Sequence, residues 1–259
     1  MKVTVSMIRE HEFCPRSVYL RNVLKIIPVP TEMQSRWLAG HAIRRELSLR
    51  GHRLLDSAHD SESAMSALQE ELSSIVSDLP FIYRGRLPAD ILDGVLPDLE
   101  SELEPELSLM ARRLVSLVRV HGLERAREIS TPRKVAFRIS SEDVGLTGVV
   151  DKVMSSLFPV VVKTGRAGGG VWEADRLQLC AYGMLVEESY GECVREGAAE
   201  YARVQEMRPV VFTEQLRRKV FEFRDAVREI LSGFVPDVCP HGNGKKCASC
   251  VLNEECYKI

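Results

Sequence analysis

Apolar positions along the chain fall into three regimes. Over residues 4–22 and 31–49 they recur at helical spacing, and the second stretch, "TEMQSRWLAGHAIRRELSL", carries His41. Residues 61–79 and 104–120 predict two more helices, with Pro105 suited to a first-turn position. The pattern then shortens. "KVAFRI" (134–139), "GLTGVVDKV" (145–153) and "FPVVVKT" (158–164) are runs rich in β-branched residues, separated by "SSED" and "MSS". They predict three consecutive antiparallel strands joined by tight turns. An amphipathic helix follows at 173–189. "AAEYARVQ" and "RPVVFT" predict a further strand pair, and residues 214–233 a strong helix closed by Gly233.

Four segments result: N-terminal helices at 1–50, a helical insert at 51–130, an α/β core at 131–235 and a cysteine-bearing tail at 236–259. No internal repeat or low-complexity tract interrupts them. With 45% apolar and 28% charged residues, the composition is that of an ordinary globular protein. The formal charge of −2 rules out a global basic field, so a nucleic-acid surface has to be a local patch. No run of about 18 apolar residues is present, which argues against a membrane span. Charges also interrupt the N-terminus where a signal peptide would be apolar. The expected location is cytoplasmic.

A reducing compartment makes a disulfide framework improbable for seven cysteines. In "CPHGNGKKCASCVLNEEC", the two-residue gap between Cys247 and Cys250 lets both thiolates reach one metal centre, and Cys256 returns after five residues. The fourth ligand is Cys239, His241 or Cys14. On spacing alone zinc and an iron–sulfur cluster are both open. Cys180 and Cys193 read as packing or incidental residues.

Asp151 lies near the end of one strand and Lys163 at the end of the next. A short-turn hairpin brings both to one end of the sheet. A carboxylate and an ammonium there suit metal-assisted phosphodiester cleavage. Taken alone, the pair reads more readily as a surface ion pair beside a turn. Gln178 and Tyr182, four apart, share a face of the following helix.

"GVVDKV", "PVVVKTG" and "DRLQLCAY" in this order resemble the PD-(D/E)xK nuclease core with its Q-x-x-x-Y extension, as in the RecB nuclease domain. With "CPRSVYL" near the N-terminus and "CASCVLNEEC" near the C-terminus, the chain resembles the CRISPR-associated RecB-like exonucleases, the fourth named Cas family. The resemblance covers residues 1–50 and 134–259 and implies an α/β restriction-endonuclease-like fold, a mixed sheet flanked by helices. It implies a 4Fe–4S cluster on Cys14, Cys247, Cys250 and Cys256. It also implies Mn²⁺ or Mg²⁺ at His41, Asp151 and the backbone carbonyl of Val162, with Lys163, Gln178 and Tyr182 as the catalytic set. The implied activity is trimming of single-stranded or overhanging DNA ends during spacer acquisition; the expected partners are DNA, the CRISPR integrase and further copies of the chain in a homo-oligomer.

One position departs from that pattern. The family has Asp or Glu two residues before the lysine, where this chain has Val161. Valine offers a cation no oxygen. Asp175, on the face of Gln178 and Tyr182, is the candidate replacement; Glu173 points away from that face. The alternative is a silent DNA-binding or assembly subunit on the same fold. For DNA contacts, Arg16, Arg21, Arg44 and Arg45 on the N-terminal helices and Arg166 in the glycine-rich loop form an expected basic funnel. Tyr19 and Trp172 would be stacking aromatics suited to single strands. His11 and His121 receive no role.

Overall fold

The structure is a computed structural model and describes residues 2–28, 31–84, 87, 89–248 and 250–258. The chain opens on a short strand, β1 (Val3–Thr4), and then α1 (Val5–Phe13), whose first turn is capped by the Thr4 side chain. The single helix expected over 4–22 is broken at Cys14, which is extended (φ −163°, ψ 113°). Pro15 then starts α2 (Pro15–Val18), and a π-turn covers Tyr19–Val23. Proline disfavours helical backbone in the residue before it, and "CP" therefore turns the chain at the cysteine.

The helix expected at 31–49 is α3 (Glu32–Arg50), with a complete capping box between Thr31 and Gln34. A 3₁₀ segment (Gly51–Ser57) leads into α4 (Ser61–Ile82) and α5 (Ala89–His121), then α6 (Leu123–Ser130). Pro105 is not a first-turn residue: α5 runs through both Pro97 and Pro105. Each interior proline costs about 3 kcal/mol. The buried stripe of Leu92, Val95, Leu99, Leu103, Leu107, Met110 and Leu114 continues past both at helical spacing. At about 1.5–3 kcal/mol per buried side chain it outweighs the interruption.

The predicted strand trio is β2 (Lys134–Ser141), β3 (Leu146–Val153) and β4 (Pro159–Lys163), antiparallel throughout. Helix α7 (Glu173–Tyr190) follows and is closed by Gly191 in the left-handed region (φ 68°). Strand β5 (Glu196–Tyr201) runs parallel to β4, and β6 (Glu206–Val211) antiparallel to β5. Helix α8 (Glu214–Leu231) and two short tail helices, α9 (Gly244–Ala248) and α10 (Asn253–Cys256), complete the chain. The six strands form one mixed sheet. β1 pairs in parallel with Leu146 and Thr147 of β3, and β4 pairs with Lys152 and Val153 farther along that strand.

Two large hydrophobic clusters organise the elements. One joins the sheet to α1, α7 and α8. The other is built by α4–α6 together with Ala39, Ala42, Ile43 and Leu47 of α3. Helix α3 therefore belongs to the core of the insert. Its other residues reach the sheet: Leu49 packs on Val162 and Ala202, and Ser48 donates to Glu200, which also holds Lys152 at 2.6 Å in a buried network. Sheet and insert meet at this helix, and the residues of the candidate site lie along the junction.

Candidate active site

The β3–β4 register sets the site. Lys152 faces Val160, which puts Asp151 beside the end of β4. One Asp151 carboxylate oxygen accepts the backbone N–H of Val162 at 2.8 Å; the other accepts Arg45 Nε of α3, also at 2.8 Å. Lys163, two residues on, reaches towards α7. Its ammonium donates to Asp175 Oδ1 at 2.6 Å and to Gln178 Oε1 at 2.7 Å. Arg9 of α1 donates to the same Asp175 oxygen at 3.1 Å. Burial pushes the Lys163 pKa down, Asp175 opposes that shift, and Arg9 adds to it.

His41 of α3 approaches from the insert side. Its Nδ1 lies 2.6 Å from the hydroxyl of buried Thr164, which leaves Nε2 as the free ring nitrogen. Desolvation, reinforced by Arg45, lowers its pKa, so the imidazole is neutral at pH 7. Tyr182 lies one turn beyond Gln178. Its ring closes on Gly148, where a Cβ would stand 2.8 Å from the ring, so a side chain there would push the tyrosine off β3. Burial raises the Tyr182 hydroxyl to about 12, and it stays protonated.

Val161 is buried at 3% exposure within the sheet cluster. The carboxylate nearest the lysine is Asp175, itself 5% exposed. The sequence expectation that places Asp175 on the Gln178 face matches this geometry, and Glu173 does point elsewhere, to Lys219 at 2.7 Å. Among the described residues, His41, Asp151 and Asp175 do not bring three donor atoms within 4.8 Å of one another. Imidazole nitrogen and carboxylate oxygens are suitable donors for Mn²⁺ or Mg²⁺. The positive charge beside the two carboxylates comes from Arg45, Arg9 and Lys163.

Most of the expected DNA contacts are engaged within the protein. Arg44 is 3% exposed and bidentate to Glu106, at 2.7 and 2.8 Å, so it ties α3 to α5. Arg16 is buried and donates to the carbonyls of Pro236 (2.6 Å) and Cys256 (3.3 Å), fastening the tail to α2. Tyr19 packs against the sheet cluster. Arg45 engages Asp151, Arg21 pairs with Glu10 at 3.1 Å, and Arg166 is exposed in the loop after Lys163. Sequence reasoning gave no role to Arg9, Thr164 or Tyr83, whose hydroxyl lies between Arg45 and Glu46. Arg9 and Tyr83 stand in a helix and a turn that carry no motif, and Thr164, although it follows Lys163 within "PVVVKTG", gains its part only through the fold that brings His41 to it.

At the tail, Cys14, Cys239, Cys247, Cys250 and Cys256 line one small pocket with His241. Cys14 is close enough to Cys250 and Cys256 for their charges to act on it, and burial raises its pKa. All these thiols are free of disulfides. Four of them match a four-thiolate cluster in donor type and number. Cys239, His241 and Cys247 also lie within 4.8 Å of one another.

Residues 2–257 match the PD-(D/E)XK nuclease superfamily. The chain belongs to that superfamily. Two curated relatives are similar to it, both CRISPR-associated exonuclease Cas4/endonuclease Cas1 fusions. The one from Geobacter sulfurreducens is 26% identical over 260 residues, 96% of this chain and 33% of the relative. The one from Leptospira interrogans is 29% identical over 138 residues, 50% of this chain and 25% of the relative. The chain spans at most about a third of the length of these relatives. Among the described residues, no helix of this superfamily member is long and apolar enough to cross a membrane.

Proposed function

We propose that this chain is a CRISPR-associated DNA nuclease that trims single-stranded or overhanging ends during spacer acquisition, next to an integrase. The observation that carries the reading is the 2.6 Å contact between Lys163 and Asp175, which returns a carboxylate to the side of the lysine where Val161 has none. His41, Asp151, Asp175 and the Val162 carbonyl would hold one Mn²⁺ or Mg²⁺ after their donor atoms draw closer together than they stand here. When bound, such an ion supplies Lewis-acid stabilisation of the phosphate and a more acidic water.

The side chains of the protein do the rest. Asp175 and Gln178 hold the Lys163 ammonium in one orientation, and its low-dielectric setting strengthens its attraction for a phosphate oxygen. Thr164 fixes the His41 ring with Nε2 free. Arg45 neutralises Asp151 and has to yield it for a cation to bind there. The four-thiolate set of Cys14, Cys247, Cys250 and Cys256 would hold a 4Fe–4S cluster that joins the chain ends, supplementing the Arg16 clamp.

The bridge between Arg45 and Asp151, together with burial of Val161, favours a second reading, a silent DNA-binding subunit of the adaptation machinery. Single-stranded DNA cleavage with Mn²⁺ separates the two. Slow cutting by the native chain that disappears in Lys163→Ala is the expected result. No cutting by the native chain, with activity restored by Val161→Glu, would overturn the nuclease reading in favour of the silent subunit.

A further inference from the structure

The chain has two tryptophans. Both are exposed, Trp37 at 64% and Trp172 at 65%, although tryptophan is on average a highly buried residue. Neither is part of a hydrophobic cluster. Trp37 stacks on a candidate site residue, and the backbone carbonyl of Trp172 accepts the N–H of another, Asp175, at 2.9 Å. Trp37, one turn before His41 on α3, stacks on its imidazole with ring centroids 5.6 Å apart and planes within 8°. That imidazole touches Thr164, the residue after Lys163. Trp172 is the N-terminal cap position of α7, three residues before Asp175. Its ring leans over Gly168, 3.3 Å from where a Cβ would stand. Trp172 and Asp175 line the same open groove of about 780 Å³.

The groove also has a backbone-binding character. Arg9, 55% exposed, and Arg21, 41% exposed, line it. Its acids are Glu10, Glu12, Glu173 and Asp175; Glu10 pairs with Arg21, Glu173 with Lys219 and Asp175 with Arg9, and both arginines keep a large exposed surface. The flat face of Trp172 beside guanidinium groups matches a strand whose bases are unpaired. Every base has a π-face for an aromatic ring, and its phosphates find the cations. In a blunt duplex those faces are covered by neighbouring bases.

We propose that Trp37 and Trp172 are base-stacking platforms on two sides of the site, one on the His41 side and one on the Asp175 side. They hold the unpaired bases of the single strand that the proposed function already names. The proposal rests on the nuclease reading for the kind of ligand, but binding tests it without cutting.

Because these are the two tryptophans of the chain, Trp37→Phe leaves Trp172 as the sole emitter under tryptophan-selective excitation, and Trp172→Phe leaves Trp37. Each variant is titrated with a single-stranded oligothymidylate of about ten nucleotides and with a blunt duplex, without added Mg²⁺ or Mn²⁺. Emission is expected to be quenched by the single strand in both variants and left unchanged by the duplex. Trp37→Ala and Trp172→Ala should each weaken single-strand binding at least about five-fold. The phenylalanine variants keep an aromatic face and should weaken it less. Circular dichroism verifies folding, and the phenylalanine variants decide the matter if an alanine variant unfolds. Unchanged affinity in the folded alanine variants, equal quenching by duplex, or a concentration-dependent emission change without DNA would overturn the proposal; the last would mark a face for a second copy. Loss of cutting with quenching intact removes the nuclease reading and leaves the platforms standing. Cutting with unchanged tryptophan emission does the reverse.

Discussion

Asp175→Asn is the most informative single change, because it keeps the shape of the side chain and removes its charge. Lys163 and Asp175 side chains are 12% and 7% exposed, so water contributes little to either. A hydrogen bond to a charged group is worth about 1.5–3 kcal/mol. Complete loss of one partner in a buried pair costs about 3–5 kcal/mol. Asparagine still offers Oδ1 to the ammonium, and Gln178 remains at 2.7 Å, which favours the lower range, about 2 kcal/mol. The Arg9 contact adds little, since that side chain is 55% exposed and screened. For a domain of this size, about 2 kcal/mol lowers the melting temperature by roughly 4–8 °C. Thermal denaturation of Asp175→Asn, Lys163→Gln and the double variant isolates the pair term, expected at about 1–2 kcal/mol. Mn²⁺-dependent cutting should fall with Asp175→Asn at least as far as with Lys163→Gln. An Asp175→Asn protein with native melting temperature and native cutting would refute the idea that Asp175 replaces the carboxylate missing at position 161.

The lowered pKa of Lys163 should give cutting an alkaline limb below the usual lysine value of 10.5, and Asp175→Asn should move that limb lower still; a pH–rate profile reads both. For stability the sign is opposite: the folded state releases this proton before the unfolded chain does, so the contribution of Lys163 to stability rises with pH across that window. Cys14→Ser should strip iron and acid-labile sulfide from anaerobically purified protein and lower its melting temperature, whereas Cys193→Ser, at an exposed position, should change neither. Glu106→Ala should destabilise by about 3–5 kcal/mol in a denaturant titration, because it leaves the Arg44 guanidinium buried at 3% exposure with only the longer Glu102 contact.

The antiparallel pairing of β2, β3 and β4 and the convergence of Asp151, Lys163, Gln178 and Tyr182 were legible in the sequence; the strand at Val3–Thr4 and the parallel pairing of β4 with β5 were not. Local alternation and the length of "MSS" already constrain the register that joins Asp151 to β4. Asp175 was legible for a related reason: helical periodicity places it with Gln178. Pro105 misled, because the signal that keeps the helix going is a stripe of leucines facing another helix. The arginines misled more. Arg16, Arg44 and Arg45 have the same composition signature as a DNA-binding patch, yet they face Pro236, Glu106 and Asp151, partners 62–220 residues away in sequence. A charge that folding has already matched looks, on the string, like a charge awaiting a ligand.

Helix α3 has a mechanical consequence. One side of it is built into the helical insert through Ala39, Ala42, Ile43 and Leu47, while Trp37, His41, Arg45 and Ser48 project from the same rod towards the chemistry. A rigid rod cannot tilt for one set of neighbours and stand still for the other. Anything that grips the outlying bundle therefore has a lever on Asp151, through Tyr83 and Arg45, without approaching the groove.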